Sequence, residues 1–274
     1  MKEIKLGIGT YCYTYAFGVT GFMPSKPMTA FDLIDKAVDL NLNVVQISDN
    51  YPLHKLEIEE LERLSTYAKK NGIMIEVGTR GIKTEHLKQY IKIANILQSK
   101  IIRVVIDTDD HKPDFNEIVS LLSKIQLYLK ENSIVLGIEN HDRFKSTVFA
   151  KIVETLHTPF IGIVMDTVNS FSCEENTRQV MDALSRYTIN FHVKDFEIKR
   201  VPNSMGLQVI GSIAGQGFLN IPDMIYELRE HAQSDFSVIL EHWMPPEKDI
   251  HKTMLKENMW VEESIKYLKK ELRQ

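Results

Sequence analysis

The sequence predicts an α/β protein built as a single TIM-type (β/α)8 barrel spanning residues 1–274. Three observations predict it. Short apolar runs, most of them rich in Val and Ile, alternate with amphipathic segments from end to end, as parallel strands buried on both faces should. The length of 274 residues suits one barrel, which typically takes ~250. The first loop, residues 11–28, carries no G-x-G-x-x-G turn, the usual mark of the alternative, a doubly wound open sheet.

The elements follow in order. The apolar run 4–9 leads through the loop 11–28 to a helix over 30–40, where Thr29 can cap and Phe31, Ile34, Ala37 and Val38 recur at helical spacing. Run 44–48 precedes a helix over 56–70 that stops at Asn71-Gly72. Run 73–78 precedes a helix over 84–98, opened by a cap at Thr84 and carrying Leu87, Tyr90, Ile91 and Ala94 on one face. Runs 101–107, 134–139 and 161–166 are followed by helices over 114–130, 145–156 and 173–186. Run 189–193 leads through a long loop, 194–220, to a helix over 221–231, and run 237–241 to a last helix over 255–272. Eight strands alternating with eight helices favour closure into a barrel.

The composition narrows the function classes. The apolar fraction is 43% and the charged fraction 26%, ordinary for a globular domain. A net charge of −4 offers no basic surplus for phosphates and argues against nucleic acid as a partner. No apolar stretch approaches the ~20 residues of a membrane span, and the first residues lack the apolar core of a signal peptide. The two cysteines, Cys12 and Cys173, have no metal-like spacing and suit a reducing compartment. A cytoplasmic location is the default expectation.

Chemistry is concentrated where apolar runs end. Run five ends in Ile138-Glu139, run six in Met165-Asp166, run seven in Phe191-His192-Val193 and run eight in Leu240-Glu241. A charge at the end of a buried strand is costly unless it is paired or bound to a metal. Four consecutive strands would set Glu139, Asp166, His192 and Glu241 on one arc of the barrel mouth, where barrel enzymes keep their active sites. Three carboxylates and an imidazole suit one divalent ion, Mn²⁺ or Mg²⁺ before Co²⁺ or Zn²⁺. Beyond these ends, His141, Arg143, Lys194, Arg80, Asn169 and Trp243 are candidates to face a substrate, with Asp49, Asn50 and Asp107 on the rim. Asp107 can instead cap the segment after it. Tyr11, Tyr13, Tyr15 and Phe17 are expected to wall the mouth. Trp260 is expected in the core, and His54, His111, His157 and His251 at the surface. The Gly215-Gln216-Gly217 turn is assigned to backbone geometry rather than phosphate binding.

The ordered set IEN, MDTVN, FHVKD and LEH, with GQG between the last two, resembles the xylose-isomerase-like sugar isomerase/epimerase superfamily over nearly the whole chain. The resemblance implies a TIM barrel whose metal ligands fall on Glu139, Asp166, His192 and Glu241. Two departures matter. Asn169 stands where the epimerases and endonucleases carry a His, and residues 194–217 hold no histidine for the extra zinc ions of the endonuclease type.

The expected activity is a metal-dependent isomerase or epimerase of a ketose or keto-sugar. Glu139 and Glu241 would pass a proton through an enediolate, and an acceptor would hold the far nitrogen of His192. The alternative on the same site is a lyase, a decarboxylase or dehydratase acting on a 3-oxo sugar acid or related keto-polyol. The segments VQISDN, ENHDRF and HVKDF are similar to the branch that includes 3-oxo-isoapionate decarboxylase. There Arg80, Arg143 or Lys194 would bind a carboxylate. A non-catalytic barrel is the third class. The expected partner is a small polyhydroxylated substrate, and self-association into a homo-oligomer is allowed.

Overall fold

The computed structural model describes residues 3–202 and 205–272. The strands are β1 (Ile4–Gly9), β2 (Val44–Ile47), β3 (Met74–Arg80), β4 (Ile101–Val105), β5 (Val135–Glu139), β6 (Ile161–Asp166), β7 (Thr188–Val193), β8 (Asp195–Arg200), β9 (Leu207–Ser212) and β10 (Phe236–Leu240). β1–β7 and β10 close into a barrel in the order β1-β10-β7-β6-β5-β4-β3-β2. All neighbours run parallel, and Ile8 opposite Leu240 closes the ring. The helices are α1 (Thr14–Phe17), α2 (Ala30–Asp39), α3 (Ile58–Lys70), α4 (Thr84–Ile96), α5 (Phe115–Ser123), α6 (Gln126–Asn132), α7 (Ser146–Leu156), α8 (Thr177–Leu184), α9 (Ile221–His231) and α10 (Ile250–Leu272). No helix among the described residues is long and apolar enough to cross a membrane.

Strand alternation sets the two faces of the barrel wall. Val45, Ile47, Ile102, Val104, Leu136, Ile138, Phe191 and Val193 join the apolar cluster with Leu33, Leu64, Leu87 and Leu122 of the helices. The residues between them, among them Gln46, Glu76, Arg103, Glu139, Asn190 and His192, are polar yet buried. They point into the barrel, where several of them touch one another.

Most elements stand where periodicity places them, and the cap at Thr29 is present as a reciprocal capping box with Asp32. The exceptions have local causes. Thr84 is the first residue of α4 rather than its cap, and Lys83 before it makes no side-chain cap bond. The helix expected over 114–130 is two, α5 and α6. The buried stripe Ile118, Leu122, Ile125, Leu129 continues through the break, so periodicity cannot reveal it. The helix expected from residue 173 begins at Thr177, because Asn176 and Gln179 form a capping box there. The loop 194–220 contains an antiparallel hairpin of β8 and β9 with Ile198 opposite Val209. Trp260 is half-buried, its ring edge-on to His242 with centroids 5.7 Å apart. His54 and His111 are half-buried too: His54 bonds the Tyr90 hydroxyl at 2.8 Å and His111 meets Glu117 at 3.0 Å. His157 and His251 are exposed.

Candidate metal centre

Alternation carries Glu139, Asp166, His192 and Glu241 to the inner face at the C-terminal ends of β5, β6, β7 and β10, all at or below 1% exposure. The ligand atoms of Glu139, Asp166 and His192 lie within 4.8 Å of one another. His192 Nδ1 is 3.5 Å from Glu139 Oε2, 4.0 Å from Asp166 Oδ2 and 3.5 Å from Glu241 Oε1. The four residues named from the sequence therefore converge. Gly9 makes room for the fourth, since a Cβ there would sit 3.3 Å from Glu241 Oε1.

Neighbouring groups fix the arc. Asn140 accepts the Asp166 N–H at 2.7 Å and donates to the Asp166 carbonyl at 3.0 Å, tying β5 to β6. Asp166 Oδ1 accepts the N–H groups of Val168 at 2.8 Å and Asn169 at 2.9 Å. That leaves Oδ2 turned toward the site. Neither ring nitrogen of His192, and not Glu241 Oε1, has a hydrogen-bond partner among the described residues. The acceptor expected on the far nitrogen of His192 is thus not found there. Buried polar atoms without partners cost free energy, and a divalent ion coordinated by oxygen and imidazole would satisfy them. The donor set fits such an ion.

Two cations stand among these acids. Arg103, 2% exposed on β4, donates Nε to Glu139 Oε2 and Nη1 to Asp49 Oδ1, the latter at 2.6 Å. Asn169 donates to the other Glu139 oxygen at 2.8 Å. Burial raises the Glu139 carboxyl, but Arg103, His192 and Lys194 outweigh it and hold the group well below the usual carboxylate range. Lys194 reaches inward, with Nζ 2.8 Å from Asp166 Oδ2 and 3.0 Å from Glu241 Oε2. Burial lowers its ammonium, and Asp166, Glu241 and Glu139 more than restore it, so it stays charged.

The remaining candidates are distributed unevenly. A cavity of about 420 Å³ is lined by Arg80, Arg103, Glu139, His141, Asn169 and Lys194, together with Tyr11, Tyr15, Val168, His242, Trp243, Met244 and Glu257. Arg80 bonds Asp49 at 3.0 Å and the Asp107 carbonyl at 3.2 Å. Arg143 is drawn away from this cavity. It forms a two-pronged pair with Asp107 at 2.8 and 2.7 Å and also bonds the Pro113 carbonyl. It lines a neighbouring cavity of about 380 Å³ that shares Arg80, Glu139 and His141. Asn50 accepts from the Thr10 hydroxyl, just beyond the end of β1. Tyr11 and Tyr15 wall the cavity, whereas Tyr13 and Phe17 are buried packing. Asp195 gathers the N–H groups of Gly215, Gly217 and Leu219 at 2.9, 2.9 and 3.1 Å. A Cβ on Gly217 would lie 2.5 Å from the Phe196 carbonyl oxygen, so the G-Q-G turn serves backbone geometry.

Sequence reasoning passed over Arg103, Asn140, His242 and Glu257. Arg103 had a signal: a cation inside Ile-Ile-Arg-Val-Val needs a buried partner. His242 is driven by burial down to about 4. Glu257 accepts the Tyr15 and Ala16 N–H groups at 2.9 and 3.1 Å, and burial pushes it up to about 7. It sits in α10, where helical periodicity alone marks it as an ordinary surface acid.

Known proteins resemble the chain along its whole length. It is 27% identical over 263 residues to the 3-oxo-isoapionate decarboxylase of Pectobacterium atrosepticum, covering 96% of this chain and 95% of that enzyme. Among solved structures, a D-psicose 3-epimerase in the presence of D-fructose superposes with a TM-score of 0.71 at 14% identity, over 96% of each chain. A xylose isomerase-like TIM barrel protein from Mycobacterium smegmatis, in complex with magnesium, superposes with a TM-score of 0.68 at 12% identity, over 97% of each chain. Residues 34–271 match the family described as xylose isomerase-like TIM barrel, and the chain belongs to that family.

Proposed function

We propose that the protein is a divalent-metal-dependent lyase that removes CO₂ from a 3-oxo sugar acid. Glu139, Asp166, His192 and Glu241 would hold the ion, with Mn²⁺ the first choice and Mg²⁺, Co²⁺ and Zn²⁺ the alternatives. The observation that carries the reading is the condition of Glu139. An epimerase working from two faces needs two carboxylates that each take and return a proton. Both oxygens of Glu139 are engaged, by Arg103 and Asn169, and Arg103 favours its ionised form.

Decarboxylation needs no second base. The carboxylate leaves as CO₂, and the electron pair of the broken C–C bond moves onto the 3-oxo group to give an enediolate. When bound, the metal supplies Lewis acidity at that carbonyl. Arg103, pinned between Glu139 and Asp49, places fixed positive charge beside the developing anion, where a low dielectric strengthens it. The step consumes one proton, and Glu241, whose Oε1 is otherwise unpartnered, is the group placed to relay it from solvent to carbon. Arg80 and Lys194 line the cavity and are the cations placed to meet a substrate acid there, Arg80 from its pair with Asp49 and Lys194 from its pairs with Asp166 and Glu241, while Arg143 is committed to Asp107 outside it. The aromatic side of the cavity suits a small polyhydroxylated chain, and the acidic net charge disfavours nucleic acid.

An isomerase or epimerase of a ketose is the second reading. It is favoured by the presence of two carboxylates, Glu139 and Glu241, at one site, each 3.5 Å from His192 Nδ1, since two-base proton transfer needs two such groups. Incubating the Mn²⁺-supplemented protein with ¹³C-carboxyl keto-sugar acids and neutral ketoses in D₂O separates the two. The lyase reading expects ¹³CO₂ release with one deuterium left on the product. Deuterium uptake by a ketose at constant carbon count, with every acid unchanged, would replace it with the epimerase.

A further inference from the structure

We propose that Lys194 is a built-in counter-cation of the metal centre. Its ammonium holds Asp166 and Glu241 together until a divalent ion takes their oxygens, and it then turns into the cavity. The argument begins at Asp166. Its Oδ1 is committed to the backbone N–H groups of Val168 and Asn169, so Oδ2 is the oxygen left for a metal. That same atom is held by Lys194 Nζ at 2.8 Å, and Glu241 Oε2 is held at 3.0 Å. An ion placed against His192 Nδ1 and Asp166 Oδ2 would come up against the ammonium, and two cations that close repel strongly in a buried site.

The second observation is where Lys194 can go. Its side chain is 15% exposed and already lines the 420 Å³ cavity, and four rotatable bonds let the head swing while the stem stays packed. Arg103 has no such freedom, being pinned between Glu139 and Asp49. The two cations therefore divide the work: Arg103 stays paired with Glu139, and Lys194 is exchanged for the metal. Once turned outward, Lys194 faces the anionic end of a bound substrate, so metal loading would precede acid binding. This last step rests on the sugar-acid reading; the exchange itself does not.

Two measurements test the exchange. Mn²⁺ binding, followed by titration calorimetry or by electron paramagnetic resonance of the free ion, should be roughly tenfold or more tighter in Lys194→Met, the equivalent of one charge-assisted contact. In the parent protein, reductive methylation by formaldehyde and a borane, read by peptide mass spectrometry, should modify Lys194 several-fold faster once Mn²⁺ is bound. Tighter binding without faster labelling would mean simple repulsion at a fixed lysine and would overturn the exchange. So would Mn²⁺ affinity that is unchanged or weaker in Lys194→Met. The labelling arm uses the unaltered chain and stands even if the Met variant fails to fold. Failure of the sugar-acid reading would appear in the substrate panel and leave both measurements untouched.

Discussion

The barrel holds buried carboxylates at two levels, and they keep different company. At the floor, Glu76 of β3 accepts from Gln46 at 3.0 Å, from Asn190 at 2.7 Å and from the Ser237 hydroxyl. All three donors are neutral, they come from β2, β7 and β10, and burial pushes the Glu76 carboxyl upward. At the mouth, Glu139, Asp166 and Glu241 stand beside Arg103 and Lys194. His192 among them has two unpartnered nitrogens. A carboxylate satisfied by neutral donors is a crosslink between strands. A cluster of carboxylates paired with cations and set beside unpaired polar atoms has unused valence, and that is what a site requires. Burial alone does not separate the two; partnership does.

Three substitutions and one pH series can break or sharpen this contrast. Arg103→Met should have the largest effect, because it strands Glu139 and Asp49 without their shared cation. Breaking a buried pair on one side costs ~3–5 kcal/mol, read as a shift of the urea midpoint. Parent-like stability would show that Arg103 is not what keeps Glu139 charged. Asp166→Asn keeps an acceptor for the Val168 and Asn169 N–H groups but weakens the ligand. Mn²⁺ affinity should fall by more than ~100-fold, beyond the cost of losing an outer hydrogen-bond partner, as read by titration calorimetry. Glu76→Ala should do the reverse. Leaving Gln46, Asn190 and Ser237 without their acceptor costs ~1–3 kcal/mol, with a far smaller change in metal binding. Equal losses of Mn²⁺ affinity in the two variants would erase the distinction between floor and mouth.

The pH series concerns Glu257, another buried carboxylate partnered by neutral donors, the N–H groups of Tyr15 and Ala16. Its carboxyl is raised from 4.5 to about 7 by burial. A raised folded value favours the protonated form, so the stability it contributes is full below about pH 4.5 and is lost as the pH rises through about 7. Between those limits the parent should lose about 3 kcal/mol relative to Glu257→Gln. Parallel melting curves for the two proteins across that range would remove Glu257 from the set.

What the sequence disclosed divides along the same line. The barrel was legible because Val- and Ile-rich runs and helical stripes repeat eight times, and the four converging residues because each ends an apolar run. Hidden were features made by contact rather than pattern. The break between α5 and α6 leaves the stripe through Ile125 intact. Arg143 reads like a mouth residue until Asp107 is seen to hold it, and Asn169 reads like a substrate contact until it is seen to donate to Glu139. Asn140 lies beside Glu139 in sequence, yet its role comes from β6, 26 residues away.

The Asp195 carboxylate has a consequence for how this barrel can change. It stands three residues beyond His192 and collects the N–H groups of Gly215, Gly217 and Leu219. The backbone that leaves β7 is therefore stapled to the backbone that enters α9, and the β8–β9 hairpin hangs between them as a graft on a closed stem. At its root Gly211 packs so tightly on Trp243 that a Cβ would lie 2.6 Å from the Trp243 carbonyl oxygen. Beyond the root, Ile198, Leu207 and Val209 are exposed. Changes of sequence in β8 and β9 beyond that root are therefore expected to leave His192 in place, whereas changes at Asp195 or Gly211 are expected to move it.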